Sequence, residues 1–246
     1  MNFKNILVYD SGIGGLSVLA LLDRKLNNKN IMYYGDNFNA PYGSINEYRL
    51  KSLVGDNILK LPYKIDLIVL ACNTASLSVR SDIEKRFNVK TMGVFPCVEK
   101  ELMFGRKTLL LGTPLTVSKI KNYPNLMKIG LKNLAFDIER KIFNLKSLDL
   151  ESHFNHDDNF SIKKLKNQRF DSIILGCTHY HFIENLIFNH FQPPRILSGN
   201  YITLNQIIKF YKTEKSLDKI KQNQILFLGE NAKFNKDVFY YFYKKI

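Results

Sequence analysis

Asp66-Leu67-Ile68-Val69-Leu70-Ala71-Cys72-Asn73-Thr74 decides the fold, because the same pattern returns later in the chain as Asp171-Ser172-Ile173-Ile174-Leu175-Gly176-Cys177-Thr178-His179. Each copy runs from an acidic residue through an unbroken apolar stretch to a small residue, a cysteine and hydrogen-bonding side chains. A stretch apolar on both faces suits a strand buried in a parallel sheet that helices cover on both sides. Ligands of such sheets collect beyond the carboxyl ends of the strands, which is where each cysteine falls. Two such strand ends, each delivering a thiol, predict two half-sites that work as a pair.

Outward from the repeats, strand-like and helix-like segments alternate. Asn5–Tyr9 reads as a first strand ending in Asp10-Ser11-Gly12-Ile13-Gly14-Gly15, with a helix to about Lys25. Ile31–Tyr34 reads as a second strand closed by Gly35-Asp36. A turn-rich loop, Asn37–Ser44, and a helix from about Ile45 to Leu59 follow. Leu67–Ala71 precedes Cys72 and a helix over roughly 76–87, and Lys90–Val94 reads as a fourth strand. Thr108–Leu111, Ser172–Gly176 and Arg195–Leu197 are the strands of a second unit. A helix around Ile202–Tyr211 and a strand Ile225–Leu228 close the chain. The fold class expected is α/β, with two pseudo-symmetric parallel-sheet domains. The expected division is 1–96 plus 200–246 for a discontinuous first domain and 97–199 for the second.

The totals fit this reading. The 246 residues, 45% of them hydrophobic, suffice for one large domain or two small ones. No apolar run is long enough to cross a bilayer, and Met1–Ile6 leads straight into a strand-like segment, so a cytoplasmic address is expected and a membrane is not. Three cysteines then imply reduced thiols rather than a disulfide framework. The net charge of +14 admits nucleic acid as a partner. The lysines are nevertheless scattered among asparagine and isoleucine, as in Lys25–Ile31, and the charge reads as a solvated surface.

Several motifs admit competing readings. The glycine turn Gly12–Gly15 could cradle a pyrophosphate, with Asp36 placed like a ribose-binding carboxylate. It lacks the last glycine of that fingerprint, and Asp10 puts a negative charge at its mouth. A tight turn alone, or a small-molecule site using Asp10 and Ser11, fits as well. Cys97 stands by itself and reads as a small buried hydrophobe. Cys72 and Cys177 differ, since a helix starting just past either would stabilise a thiolate and hold a substrate carboxylate. Asp10 and His179 are placed to hold or shuttle the thiol proton. Cys177, His179 and His181 offer zinc-type ligands if that segment is extended, but no second ligand pair accompanies them. His153-Phe154-Asn155-His156-Asp157-Asp158 reads as solvated surface.

Taken together, these residues resemble the glutamate racemase family, within the cofactor-independent aspartate/glutamate racemase superfamily. The resemblance rests on Asp10–Leu16, Tyr34-Gly35-Asp36, Pro41-Tyr42-Gly43-Ser44, Ala71-Cys72-Asn73-Thr74-Ala75, Gly112-Thr113-Pro114-Leu115-Thr116 and Gly176-Cys177-Thr178-His179-Tyr180. It implies an active site in the cleft between the domains, interconversion of L- and D-glutamate without a cofactor, and a supply of D-glutamate for peptidoglycan. It also implies a possible homodimer. By the family pattern Cys72 takes the α-proton of the D-enantiomer and Cys177 that of the L-enantiomer, assisted by Asp10 and His179. Ser11, Tyr42, Gly43, Asn73, Thr74, Thr113, Thr116 and Thr178, with Asp10 and His179, would hold the substrate. Leu134–Glu139 loosely matches the family's glutamate segment. His181 stands where a proline is usual, and Leu197-Ser198-Gly199 replaces an Ile-Asp-Ser-like segment.

The chemistry is consistent with that pattern. Inverting a stereocentre without a cofactor needs a base on one face of the Cα and an acid on the other. Free cysteine titrates near ~8.5, so either protonation state is accessible near neutrality. The weakly acidic Cα–H also calls for donors aimed at the α-carboxylate and for exclusion of water. Aspartate racemase is the alternative enzyme reading, and a basic protein binding nucleic acid or a topoisomerase is the alternative of another class. No lysine stands in a pyridoxal-phosphate context, so that cofactor is not expected.

Overall fold

The computed structural model describes residues 5–155, 165, 168–212 and 222–243. The chain divides into two compact units, Met1–Phe95 with Asn200–Ile246, and Pro96–Gly199.

The first unit is built on five parallel strands: β1 (Asn5–Asp10), β2 (Asn30–Gly35), β3 (Leu67–Leu70), β4 (Thr91–Gly93) and β9 (Gln224–Leu228), in the order β4-β3-β1-β2-β9. In β3 every residue is buried, which is why its sequence is apolar without alternation. The helices are α1 (Leu16–Lys25), α2 (Glu47–Leu59), α3 (Asn73–Phe87), and, late in the chain, α9 (Asn200–Lys212) and α10 (Ala232–Tyr243). Leu16, Leu19 and Leu22 of α1 are completely buried, and α1 packs against both late helices. Asn46 caps α2, its side chain accepting the Tyr48 N–H at 2.9 Å. The helix α3 begins directly after Cys72, three residues before the start expected from periodicity. It ends at Asn88 in the left-handed conformation.

The second unit has four parallel strands, β5 (Thr108–Gly112), β6 (Leu126–Gly130), β7 (Ser172–Gly176) and β8 (Ile196–Ser198), in the order β6-β5-β7-β8. Here the helices are α4 (Val98–Met103), α5 (Pro114–Ser118), α6 (Leu134–Arg140), α7 (Leu150–Asn155) and α8 (Glu184–Phe191). Read from the opposite edge, β8-β7-β5-β6 repeats the winding β4-β3-β1-β2 of the first unit. The two cysteine-bearing strands, β3 and β7, therefore occupy equivalent places in their sheets.

The acidic residue that opens each repeat has a shared structural task. Asp66 Oδ2 accepts the Asn5 N–H at 3.0 Å, while the Asp66 N–H donates to the Asn5 carbonyl at 2.9 Å. Asp171 Oδ2 accepts the Lys107 N–H at 2.8 Å, and its own N–H donates to the Lys107 carbonyl at 2.8 Å. Each carboxylate thus pins the start of the neighbouring strand, β1 or β5, and helps set the register that brings the two strand ends level.

Periodicity leaves the stretch between α5 and β7 unread, because β6 is only half-buried and the helices there are short. The surface reading of His153–Asp158 is wrong for its first residues. Phe154 is 1% exposed and stacks on His190, and His153 lies 3.3 Å from Asp137. Burial of the aromatic ring outweighs the polar composition around it. His156, Asp157 and Asp158 lie outside the described residues.

Candidate active site

In the first unit the sequence-predicted residues gather at the carboxyl ends of β1 and β3. Asp10 ends β1, is fully buried, and accepts the Gly12 N–H at 3.0 Å through Oδ1, with Ser11 Oγ at 3.5 Å. The glycine turn is shaped around this carboxylate, since a Cβ on Gly15 would sit 2.6 Å from the Asp10 Cβ. A turn folded over its own carboxylate is a poor cradle for pyrophosphate, and the small-molecule reading gains by that.

Cys72 is one residue past Ala71, whose N–H bonds the Tyr9 carbonyl next to Asp10. The cysteine is the N-cap of α3, a helix of 15 residues with no acid in its first turn. The positive dipole end of that helix favours a thiolate there. Asn73 and Thr74 follow, each 2% exposed, and Asn73 Nδ2 donates to the Val94 carbonyl at 3.2 Å.

Tyr42 lies in a short turn, Tyr42–Ser44, with Gly43, and both are buried. Its hydroxyl donates to Asp36 Oδ2 at 2.6 Å and lies 2.7 Å from the Tyr9 hydroxyl. Burial, then the neighbouring Tyr9 and Asp36, push the Tyr42 phenol well above its ordinary range. With that hydroxyl engaged inside the protein, what this turn can offer a ligand is its backbone.

The second unit repeats the arrangement at the ends of β5 and β7. Thr113 caps α5, its Oγ1 accepting the Thr116 N–H at 3.2 Å and donating to Thr116 Oγ1 at 3.0 Å. Cys177 lies one residue past the end of β7 and is followed by a 3-10 segment, Thr178–Ile183, before α8. That differs from the expected helix start, so helix-dipole support is weaker for this thiol. Side chains take its place. His179 Nδ1 lies 3.8 Å from Cys177 Sγ, and His179 Nε2 lies 2.8 Å from Glu139 Oε1. Burial alone would pull the His179 imidazole down. The hydrogen bonds to Cys177 and Glu139, with their charges, outweigh it and hold the group well above its ordinary range. Thr178 is buried beside this chain, and Tyr180 donates to the Gly112 carbonyl at 3.2 Å.

Thr178–Ile183 being a 3-10 segment removes the alternation on which a Cys177-His179-His181 zinc set would depend. Among the described residues no group of three His, Cys, Asp or Glu side chains is arranged to hold a metal ion. His181 turns instead toward Glu184, at 3.6 Å. Cys97 is half-buried at the start of α4, its thiol raised by burial, and joins neither cluster. A cavity of about 790 Å³ opens at the ends of β2 and β9, lined by Tyr34, Asp36, Asn57, Lys60 and Glu230 among others, and neither Cys72 nor Cys177 lines it.

Sequence reasoning passed over Asn57 and gave Tyr9 only as a strand residue, Tyr180 only within the Gly176–Tyr180 motif, and Glu139 only through a loosely matching segment. Asn57 sits in the last turn of α2 with no motif around it, so only its contacts reveal it.

No family model matches the chain. Among curated proteins it is 32% identical over 230 residues to the glutamate racemase of Clostridium botulinum strain Kyoto, covering 88% of this chain and 87% of that protein. It is 30% identical over 205 residues to the glutamate racemase of Leptospira borgpetersenii serovar Hardjo-bovis strain JB197, covering 81% and 79%. Among solved structures, glutamate racemase isoform RacE1 from Bacillus anthracis aligns with a TM-score of 0.76 at 21% identity, covering 100% of this chain and 94% of that one. The glutamate racemase of Francisella tularensis in complex with D-glutamate aligns with a TM-score of 0.74 at 20% identity, covering 97% and 94%.

Proposed function

This chain belongs to the glutamate racemase family, and on that footing we propose that it interconverts L- and D-glutamate by a cofactor-independent, two-thiol mechanism. The observation that carries the mechanism is the Cys177–His179–Glu139 chain at the end of β7. Its counterpart is Cys72 at the α3 N-terminus, just past β3, the strand that pairs with the one ending in Asp10. Each unit supplies one thiol with its own means of holding or releasing a proton.

In the L-to-D direction Cys177, as thiolate, takes the Cα proton of L-glutamate. The electron pair left on Cα delocalises into the α-carboxylate, and the Cys72 thiol delivers its proton to the opposite face. In the D-to-L direction the roles exchange. His179, anchored by Glu139, is placed to pass a proton to and from Cys177, and Cys72 works at the α3 N-terminus. Thr113, Thr116, Asn73, Thr74 and Thr178 supply hydroxyl and amide groups for the substrate's carboxylates, and Asp10 offers a carboxylate to its ammonium. Tyr42 and Gly43 contribute backbone donors.

The product D-glutamate would serve peptidoglycan, and the reduced thiols require a reducing compartment such as the cytoplasm. A homodimer is part of the same reading. Among the described residues no helix is long and apolar enough to cross a membrane. Incubation with L-glutamate and, separately, L-aspartate in D₂O tests the proposal. Glutamate is expected to lose its Cα–H signal and its optical activity. Exchange with aspartate alone would assign the other substrate, and exchange with neither would overturn the reading.

A further inference from the structure

We infer that Asn57 is a positioning residue for the substrate-binding turn Tyr42-Gly43, acting through Tyr9 and Asp36; the inference rests on the proposed racemase reading for what that turn binds. Asn57 is half-buried on α2 and its amide faces two acceptors. Nδ2 donates to the Tyr9 hydroxyl at 3.0 Å and to Asp36 Oδ2 at 3.1 Å.

Counting protons fixes the direction of every bond in this circuit. Tyr42 has one hydroxyl proton, and the Asp36 carboxylate at 2.6 Å is an acceptor only, so the proton points there. Tyr9, 2.7 Å from the Tyr42 oxygen, must then give its own proton to Tyr42. The Tyr9 oxygen is left as an acceptor, and Asn57 is its donor. Only the amide nitrogen suits this place, because a carbonyl oxygen turned toward Asp36 would meet a carboxylate without a proton between them. The Asp36 carboxylate sets the order of the ring, and Asn57 is the donor that closes it on both Tyr9 and Asp36. Asn39 adds bonds to Asp36 at 2.9 and 3.2 Å but does not reach the tyrosines.

The ring ties together four segments. Tyr9 and Asp10 lie on β1, Asp36 follows β2, Tyr42 is in the turn, and Asn57 is on α2. The Asp36 N–H also donates to the Asp10 carbonyl at 3.0 Å, so Asp36 is fixed from both its backbone and its side chain. Tyr9 is stacked on Tyr34 with ring centroids 5.2 Å apart, so it has little freedom to follow a moving partner. Without the Asn57 donors, Tyr42 is left to link Tyr9 to Asp36 by itself, and the Tyr42–Ser44 turn loses its rigid back wall. Asn57 touches no residue proposed to move a proton, so the loss falls on substrate binding more than on the chemical step.

The test is Asn57→Leu, which keeps the approximate size of the side chain, favours the helix slightly more than Asn does, and removes both donors. Hydrogen exchange read by mass spectrometry should show the amides of 37–45 exchanging at least about tenfold faster, with β5 amides unchanged. KM for D-glutamate should rise about tenfold with kcat held within about threefold. Asn57→Asp, of the same shape but with an added charge beside Asp36, should show both changes more strongly. Unchanged exchange in 37–45, an unchanged KM, or a loss of protection throughout both units would each overturn the inference. Absence of glutamate racemisation in the wild-type protein would instead defeat the functional reading, and the exchange measurement would still decide whether Asn57 orders the turn.

Discussion

Glu139→Gln is the most informative single substitution. It removes one charge and leaves the shape of the Cys177–His179–Glu139 chain in place. Glu139 and His179 are 2.8 Å apart with side chains 11% and 1% exposed, so solvent screens the pair little. A hydrogen bond between charged groups contributes about 1.5–3 kcal/mol, against about 0.5–1.5 kcal/mol for a neutral one. The difference, on the order of 1–1.5 kcal/mol, corresponds to about a tenfold loss of transition-state stabilisation. Enantiomers have equal free energies, so kcat/KM has to fall by the same factor from L-glutamate and from D-glutamate. The direction of the defect appears in isotope effects instead. Proton transfer at Cys177 becomes more rate-limiting, so the primary effect with α-deuterated L-glutamate should rise and that with α-deuterated D-glutamate should fall. Polarimetry with the two labelled enantiomers reads all of this. A kcat/KM within twofold of wild type, or an isotope effect that grows only from D-glutamate, would refute the assignment of His179 and Glu139 to Cys177.

Further expectations bear on the same residues. Cys72→Ser and Cys177→Ser should each lower racemisation by at least about a thousandfold with a near-native urea midpoint, because a serine hydroxyl does not ionise in this range; activity within tenfold of wild type would remove that thiol from the mechanism. His179 binds its proton more tightly in the folded protein. Its stabilising contribution is therefore complete below the ordinary imidazole value of about 6.5 and is lost as pH rises through the raised folded value. The stability difference between wild type and His179→Asn should shrink as pH rises above about 6.5, and a constant difference would contradict a charged imidazole. In Gly35→Ala the new Cβ would lie 2.7 Å from the Gly12 carbonyl oxygen and 2.8 Å from Asn235 Nδ2. Backbone cannot yield as a flexible side chain can, so a cost of about 1–3 kcal/mol in urea unfolding is expected, with weaker glutamate binding as the Asp10 turn shifts; an unchanged midpoint would show that the approach is looser than the geometry states.

Family membership and the two-sheet α/β class were legible in the sequence for one physical reason. Strands buried on both faces, such as β3 and β7, leave unbroken apolar runs, and their carboxyl ends must carry whatever polar groups the protein presents there. The same logic placed Asp10, Cys72 and Cys177 at strand ends without coordinates, and the family resemblance added Thr113. It failed where burial is partial, as in β6, and where one ring such as Phe154 overrides a polar neighbourhood. Tertiary structure alone decided which side chains meet. Glu139 reaches His179 across 40 residues and Asn57 reaches Tyr9 across 48, and neither pairing has a local pattern. Periodicity records which face of an element is apolar. It carries no information on which polar groups from separate elements arrive within hydrogen-bond distance, because packing of the finished fold fixes those distances to a fraction of an ångström.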